Sequence, residues 1–187
     1  MFATIRIRKF SPALFWMLAA TLFLHASASS ANLPAFRGES FRGMPFGASL
    51  ADFNAKKWEL TPSNDAGGDK NRFQSFIRMD EQKSMGDLLL LEVTYYFLDG
   101  KFYGVLLQTP DGCQTEILNQ ALLSSRGEPY HTVFPADGLV WIGSLSTAIL
   151  QRNRETGEAS LMIFGNALQK GFEAYVKDAG GKISKDL

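Results

Sequence analysis

Beyond residue 28 the chain holds one imidazole, His131, and one thiol, Cys113, so nucleophilic or metal chemistry must be built around those positions or from hydroxyls and carboxylates. A zinc site takes three or four His, Cys or carboxylate ligands at short spacings, and the sequence groups none in that way. No metal or other cofactor is implied. A serine hydrolase would need His131 as its base, yet the G-x-S-x-G elbow is missing. Gly143-Ser144-Leu145-Ser146-Thr147 comes nearest and lacks the second glycine. Cys113 with His131 is formally a nucleophile and its base, but Cys113 falls on the apolar stripe of a predicted helix, which assigns it to the interior as a small hydrophobe. His131 is expected in a loop after Pro129.

The carboxylates give no stronger signal. Glu92, Asp99 and Glu116 have no spacing that sets two of them across a scissile bond, and Asp99 already has a turn to form. Asn64, Asp65, Asp69 and Asn71 offer oxygens to calcium, but the EF-hand pattern is absent and Gly67-Gly68 points to a solvated loop. Gly67-Gly68-Asp69-Lys70 lacks the spacing of a phosphate loop. The preferred expectation is therefore a non-catalytic binding or protein-interaction module. The alternative is a small cell-envelope hydrolase using His131 or a carboxylate.

A binding site is suggested at the centre of the chain. Residues 88–98 and 101–109 are rich in β-branched and aromatic types and flank Asp99-Gly100, a two-residue hairpin signal because a type I′ turn needs positive φ at both positions. The register that follows pairs Leu98 with Lys101, Phe97 with Phe102, Tyr96 with Tyr103, Tyr95 with Gly104, Thr94 with Val105 and Val93 with Leu106. One face then carries Leu91, Val93, Tyr95, Phe97, Phe102 and Leu106; the other carries Thr94, Tyr96, Leu98, Tyr103 and Val105. Tyrosine joins an apolar body to a polar tip and is common at interfaces, so Tyr96, Tyr103, Leu98, Thr94 and Val105 form the candidate binding face, for a protein or an apolar small molecule. Coverage of that face by the chain's own helices is the competing reading, and a third is self-association through strand edges.

Three helices are predicted around the hairpin. Ser49 with Asp52 makes a capping box ahead of Leu50, Phe53 and Lys57, with an end near Trp58. Thr109-Pro110 opens the second, with Pro110 in the first turn and Cys113, Ile117, Leu118, Ala121 and Leu122 as its stripe; Gly127 and Pro129 stop it. Asn166 caps the third, whose apolar face is Leu168, Phe172, Tyr175, Val176 and Ala179 before Gly180-Gly181 releases a polar tail. Strand-like runs cover 72–79, 139–143, 145–152 and 158–164. Tight turns between strands argue for antiparallel pairing, so the fold class is α+β: an antiparallel sheet with helices packed on one face, and an order that divides into two helix-plus-three-strand halves.

The address is read from the first residues. Arg6, Arg8 and Lys9 precede an apolar run over 12–24 and the small residues Ala26-Ser27-Ala28, the pattern of a secretory signal peptide. The run is shorter than the ~20 residues of a membrane span. Cleavage is expected after Ala28 or after Ala31, giving residues 1–28 as signal and 29–187 as one domain with short polar termini, periplasmic or secreted. No lipidated Cys follows, so no stable membrane anchor is expected after cleavage. All 19 acidic residues but only 16 of the 19 basic ones lie beyond the signal, a mature charge of −3 with no basic stripe, which argues against nucleic acid as a partner. With 45% hydrophobic and 12% aromatic residues the chain can fold on its core alone, and its single mature thiol forms no internal disulfide.

Phe41-Arg42-Gly43-Met44-Pro45-Phe46-Gly47, the hairpin from Tyr96 to Val105 and the Arg126-Gly127-Glu128-Pro129 helix stop together resemble small exported bacterial proteins of unknown function that open with F-x-G-[IM]-x-[FW]-G. The resemblance spans most of the mature chain and implies a shared fold, with no catalytic residues to carry over. The order of helix and hairpin is also similar, more loosely, to β-lactamase-inhibitor-protein-like folds and to outer-membrane-assembly lipoproteins, from which this chain departs in lacking the lipidated Cys.

Overall fold

In the computed structural model the described residues are 40–55, 60–62, 72–132 and 138–186. The signal segment, the Trp58 end of the first helix, and Asn64, Asp65, Asp69 and Asn71 lie outside them. The protein is α+β. Its centre is an antiparallel sheet of eight strands: six of five residues or more, edged at each side by one of three residues.

In chain order, β1 (Ser40–Phe41) and β2 (Met44–Pro45) form a small hairpin whose turn places Arg42 at φ 50° and Gly43 at φ 75°. Helix α1 (Leu50–Ala55) follows, then β3 (Leu60–Pro62) and β4 (Phe73–Arg78). A second small hairpin, β5 (Ser84–Met85) and β6 (Leu88–Leu89), precedes β7 (Glu92–Leu98) and β8 (Lys101–Gln108). Helix α2 (Gly112–Arg126) leads to β9 (Tyr130–Thr132), β10 (Gly138–Ile142), β11 (Ser146–Arg152) and β12 (Ala159–Gly165). A 3₁₀ turn (Asn166–Leu168) enters the last helix, α3 (Gln169–Asp186).

The sheet order is β3-β4-β7-β8-β12-β11-β10-β9. Each half is a helix followed by four strands of this sheet, the first half also carrying the separate β5–β6 hairpin, and the halves meet where β8 pairs with β12, with Leu106 opposite Met162. The division into halves thus holds with one more short strand in each, β3 and β9, where the sequence suggested three.

Local chemistry explains the helix starts. Ser49 N–H donates to Asp52 Oδ2 at 2.7 Å and Asp52 N–H to Ser49 Oγ at 3.3 Å, so the short acid closes the capping box. At α2 the cap is Asp111, whose Oδ1 accepts from Gln114 N–H at 2.9 Å; Pro110 stands before the cap, outside the first turn. Gly127 at φ 76° ends α2 and donates to the Leu123 carbonyl at 2.9 Å. Asn166 does not cap α3: its amide bridges Thr147 Oγ1 and the Gly143 carbonyl, tying the helix entry to β11. Nor does Gly180-Gly181 end that helix, which continues to Asp186. A helix-interior glycine costs only about 1 kcal/mol, too little to stop a helix already under way.

The sheet is buried on both faces. On the first, α1 inserts Phe53, edge-on to Phe97 at 5.0 Å and Phe102 at 5.1 Å. Helix α2 adds Leu118 and Leu122, and the β1–β2 hairpin adds Phe41 and Met44. On the second, α3 lays Phe172 and Tyr175 over Phe73, Tyr96, Tyr103 and Phe164. Helices packed on one face describes α1 and α2; α3 takes the other, because its Phe172 and Tyr175 find there an aromatic surface that β4, β7, β8 and β12 leave open.

Candidate functional site

The hairpin register follows the sequence expectation at Leu98 with Lys101 and at Phe97 with Phe102, and then departs from it. Tyr96 faces Gly104, Tyr95 faces Val105, Thr94 faces Leu106 and Val93 faces Leu107. Tyr103 is the extra residue of a β-bulge, so every side chain of β8 beyond it changes face. Val105 joins the first face and Leu106 the second, the reverse of the expectation. Gly104 is required here, since a Cβ would stand 2.5 Å from the Ile163 carbonyl oxygen and 2.9 Å from Phe164 Cβ.

The five candidate binding residues do not form an open face. Tyr96, Tyr103, Leu98, Thr94 and Val105 are each 2% exposed or less, and Val105 lies on the opposite side of the sheet from the other four. Tyr103 is sandwiched between Phe164 at 5.5 Å and Phe172 at 5.0 Å, and its hydroxyl donates to Gln169 Oε1 at 2.9 Å. Burial, with Glu173 nearby, drives its phenol well above the usual tyrosine range. Tyr96 stacks on Phe73, which in turn stacks on Tyr175. The tyrosines carry core packing, and the face proposed for a ligand is filled by the chain itself.

The residues considered for catalysis are dispersed. Cys113 is exposed at the start of α2, because the buried stripe runs through Thr115, Leu118 and Leu122, rotated from the one expected. His131 lies in edge strand β9, where its backbone pairs with Leu139, rather than in a loop. Glu92 accepts from Thr94 Oγ1 at 2.8 Å, Asp99 is gripped by Arg72 at 3.0 and 3.2 Å, and Glu116 takes Gln120 at 2.9 Å and Arg152 at 3.5 Å. Arg72 holds the Asp99 carboxyl below its ordinary range, as a partnered turn acid should be. Among the described residues no group of three His, Cys, Asp or Glu is placed to hold a metal ion, and no helix is long and apolar enough to cross a membrane.

Sequence reasoning missed the connection between β4 and β7, residues 79–91. Of the six large hydrophobic side chains most exposed among the described residues, four are here: Met79 at 66%, Met85 at 41%, Leu89 at 53% and Leu91 at 39%. The connection is anchored. Leu88 and Leu90 point into the first-face core, Leu89 N–H donates to Gln114 Oε1 of α2 at 2.7 Å, and Leu90 N–H to the Lys83 carbonyl at 2.9 Å. At its base Glu81 is enclosed, paired with the Arg42 guanidinium and accepting the Tyr95 hydroxyl at 2.6 Å. Arg42 also donates to the Gln82 carbonyl at 2.6 Å, so the β1–β2 turn clasps the segment. Burial and Glu81 raise the Tyr95 phenol far above its usual range, which keeps it a donor to that carboxylate.

Four consecutive leucines therefore split by parity. The core accounts for Leu88 and Leu90; among the described residues no core cluster takes in Leu89 and Leu91, positions that a half-exposed segment would ordinarily fill with polar residues. The signal was present in the sequence as Leu88-Leu89-Leu90-Leu91, apolar on both faces, but it merged with the strand that follows.

No protein-family model matches the chain, and no curated protein or solved structure does.

Proposed function

We propose that this protein is an exported, non-catalytic protein-interaction module that meets its partner through the outward side chains of residues 79–91. The observation that carries this reading is the parity of that connection: Leu88 and Leu90 lock it to the core, while Met79, Met85, Leu89 and Leu91 stand in solvent. Large apolar side chains exposed on a braced segment favour docking, since covering each removes apolar surface from water at about 25 cal/mol per Å². The signal-like leader and the mature charge of −3 support an exported address and a protein partner over nucleic acid.

The test is a photoreactive amino acid at position 89 in cells that export the protein. The expected result is a discrete crosslinked species that disappears when Met79, Met85 and Leu91 are replaced by serine and that a reporter at exposed Glu128 does not form. Equal crosslinking from both positions, or none from position 89, contradicts the reading.

A further inference from the structure

The four methionines among the described residues fall into two groups. Met44 and Met162 are 1% and 0% exposed, whereas Met79 and Met85 are 66% and 41% exposed and belong to the same connection as the outward Leu89 and Leu91. A thioether exposed to solvent is open to two-electron oxidation: a sulfur lone pair attacks the terminal oxygen of a hydroperoxide, the O–O bond breaks, an S–O bond forms, and the displaced oxygen leaves as water or an alcohol after taking up a proton. The product is a polar sulfoxide in place of an apolar side chain, a change that disrupts methionine-bearing interfaces and that sulfoxide reductases reverse. Inside the two cores this reaction is blocked by packing, so of these four thioethers oxidation falls on Met79 and Met85.

We propose that Met79 and Met85 are oxidation sites through which hydroperoxides weaken docking at residues 79–91 while the fold stays intact. The proposal rests on the interaction reading above and adds its regulation. Neither side chain supports the core, so their sulfoxides leave the sheet and helices in place. Leu88 and Leu90, which hold the connection down, carry no oxidisable atom. Exposed Cys113 is the competing reductant, and its thiol is removed in the test by Cys113→Ser.

The experiment treats the folded Cys113→Ser protein with hydrogen peroxide, maps the gain of one oxygen by peptide mass spectrometry, and measures crosslinking from position 89 before and after. The expected result is oxygen on Met79 and Met85 ahead of Met44 and Met162, an unchanged circular dichroism spectrum, and a roughly tenfold loss of crosslinking, equivalent to about 1.4 kcal/mol. The Met79→Leu, Met85→Leu double variant should crosslink before and after peroxide alike. Oxidation that spreads equally to Met44 and Met162, or crosslinking untouched by oxidation of Met79 and Met85, overturns the inference and leaves the interaction reading standing. Absence of crosslinking before any peroxide overturns both.

Discussion

The two halves of the sheet are built on one plan and differ in what joins their second and third strands. In the second half β10 passes to β11 through 143–145, a turn closed by Gly143 N–H to the Ser146 carbonyl at 3.0 Å. In the first half the equivalent step from β4 to β7 takes residues 79–91, with a hairpin of their own and four outward apolar side chains. Three residues suffice for the geometry, so the longer connection answers to something other than closing the sheet. Long connections with structure of their own are where function gathers on a rigid scaffold.

The helices of the halves differ as well. Helix α1 has six residues and commits one side chain, Phe53, to a ring cluster with Tyr95, Phe97 and Phe102. Helix α2 has fifteen and spreads its burial over Thr115, Leu118 and Leu122. Phe53→Ala should therefore be the most damaging single change, about 3–5 kcal/mol, against about 2–3 kcal/mol for Leu122→Ala. Urea denaturation of both variants measures this, and a larger loss from Leu122→Ala would break the comparison.

The bulge at Tyr103 belongs to the first half alone, and Gly104→Ala should cost about 1–3 kcal/mol by forcing β8 away from β12. The melting temperature should fall accordingly, and an unchanged value would show that β8 and β12 approach less closely than described. Removing the α2 cap with Asp111→Ala should cost about 1 kcal/mol, as one helix N–H loses its acceptor. Smallest is the Arg72–Asp99 pair at the hairpin turn, exposed to water and expected to contribute below about 0.5 kcal/mol. Its sign is fixed: Asp99 titrates lower folded than unfolded, so its contribution is present above the ordinary carboxylate range and is lost as pH falls through and below it. Asp99→Asn should flatten the acid side of the stability profile by that amount, measured by urea midpoints between neutral and acid pH.

Much of this architecture is legible in the sequence, for physical reasons that can be named. Asp99-Gly100 announces its turn because both residues must adopt positive φ, and they do, at 48° and 74°. Ser49 and Asp52 announce α1 because their side chains close its first turn. The register beyond Phe97 is not legible in the hairpin alone, because the bulge is set by how β8 meets β12, although Gly104 inside a strand is a usable sign of it. The stripe through Cys113 differs from the buried one because an apolar stripe counted along a helix can be rotated by one position, and Thr115, held by Thr109 at 2.6 Å and by the Gly157 carbonyl at 2.8 Å, takes the buried row instead. The tyrosine face misled because Tyr96 and Tyr103 have the same identity in a core as at an interface. Only tertiary packing, the placement of Phe172 and Tyr175 over them, separates the two.

The central claim is that residues 79–91 are braced for docking rather than for the fold, and replacing Met79, Met85, Leu89 and Leu91 together by serine tests it most directly. Each is a surface change expected to stay within about 0.5 kcal/mol, so the variant should unfold near the wild-type urea midpoint. The account predicts that this variant, probed from a photoreactive residue at neighbouring position 83 in exporting cells, loses the crosslinked species that the otherwise unchanged protein forms from the same position. A variant that keeps that species, or that unfolds as readily as Phe53→Ala, would contradict it.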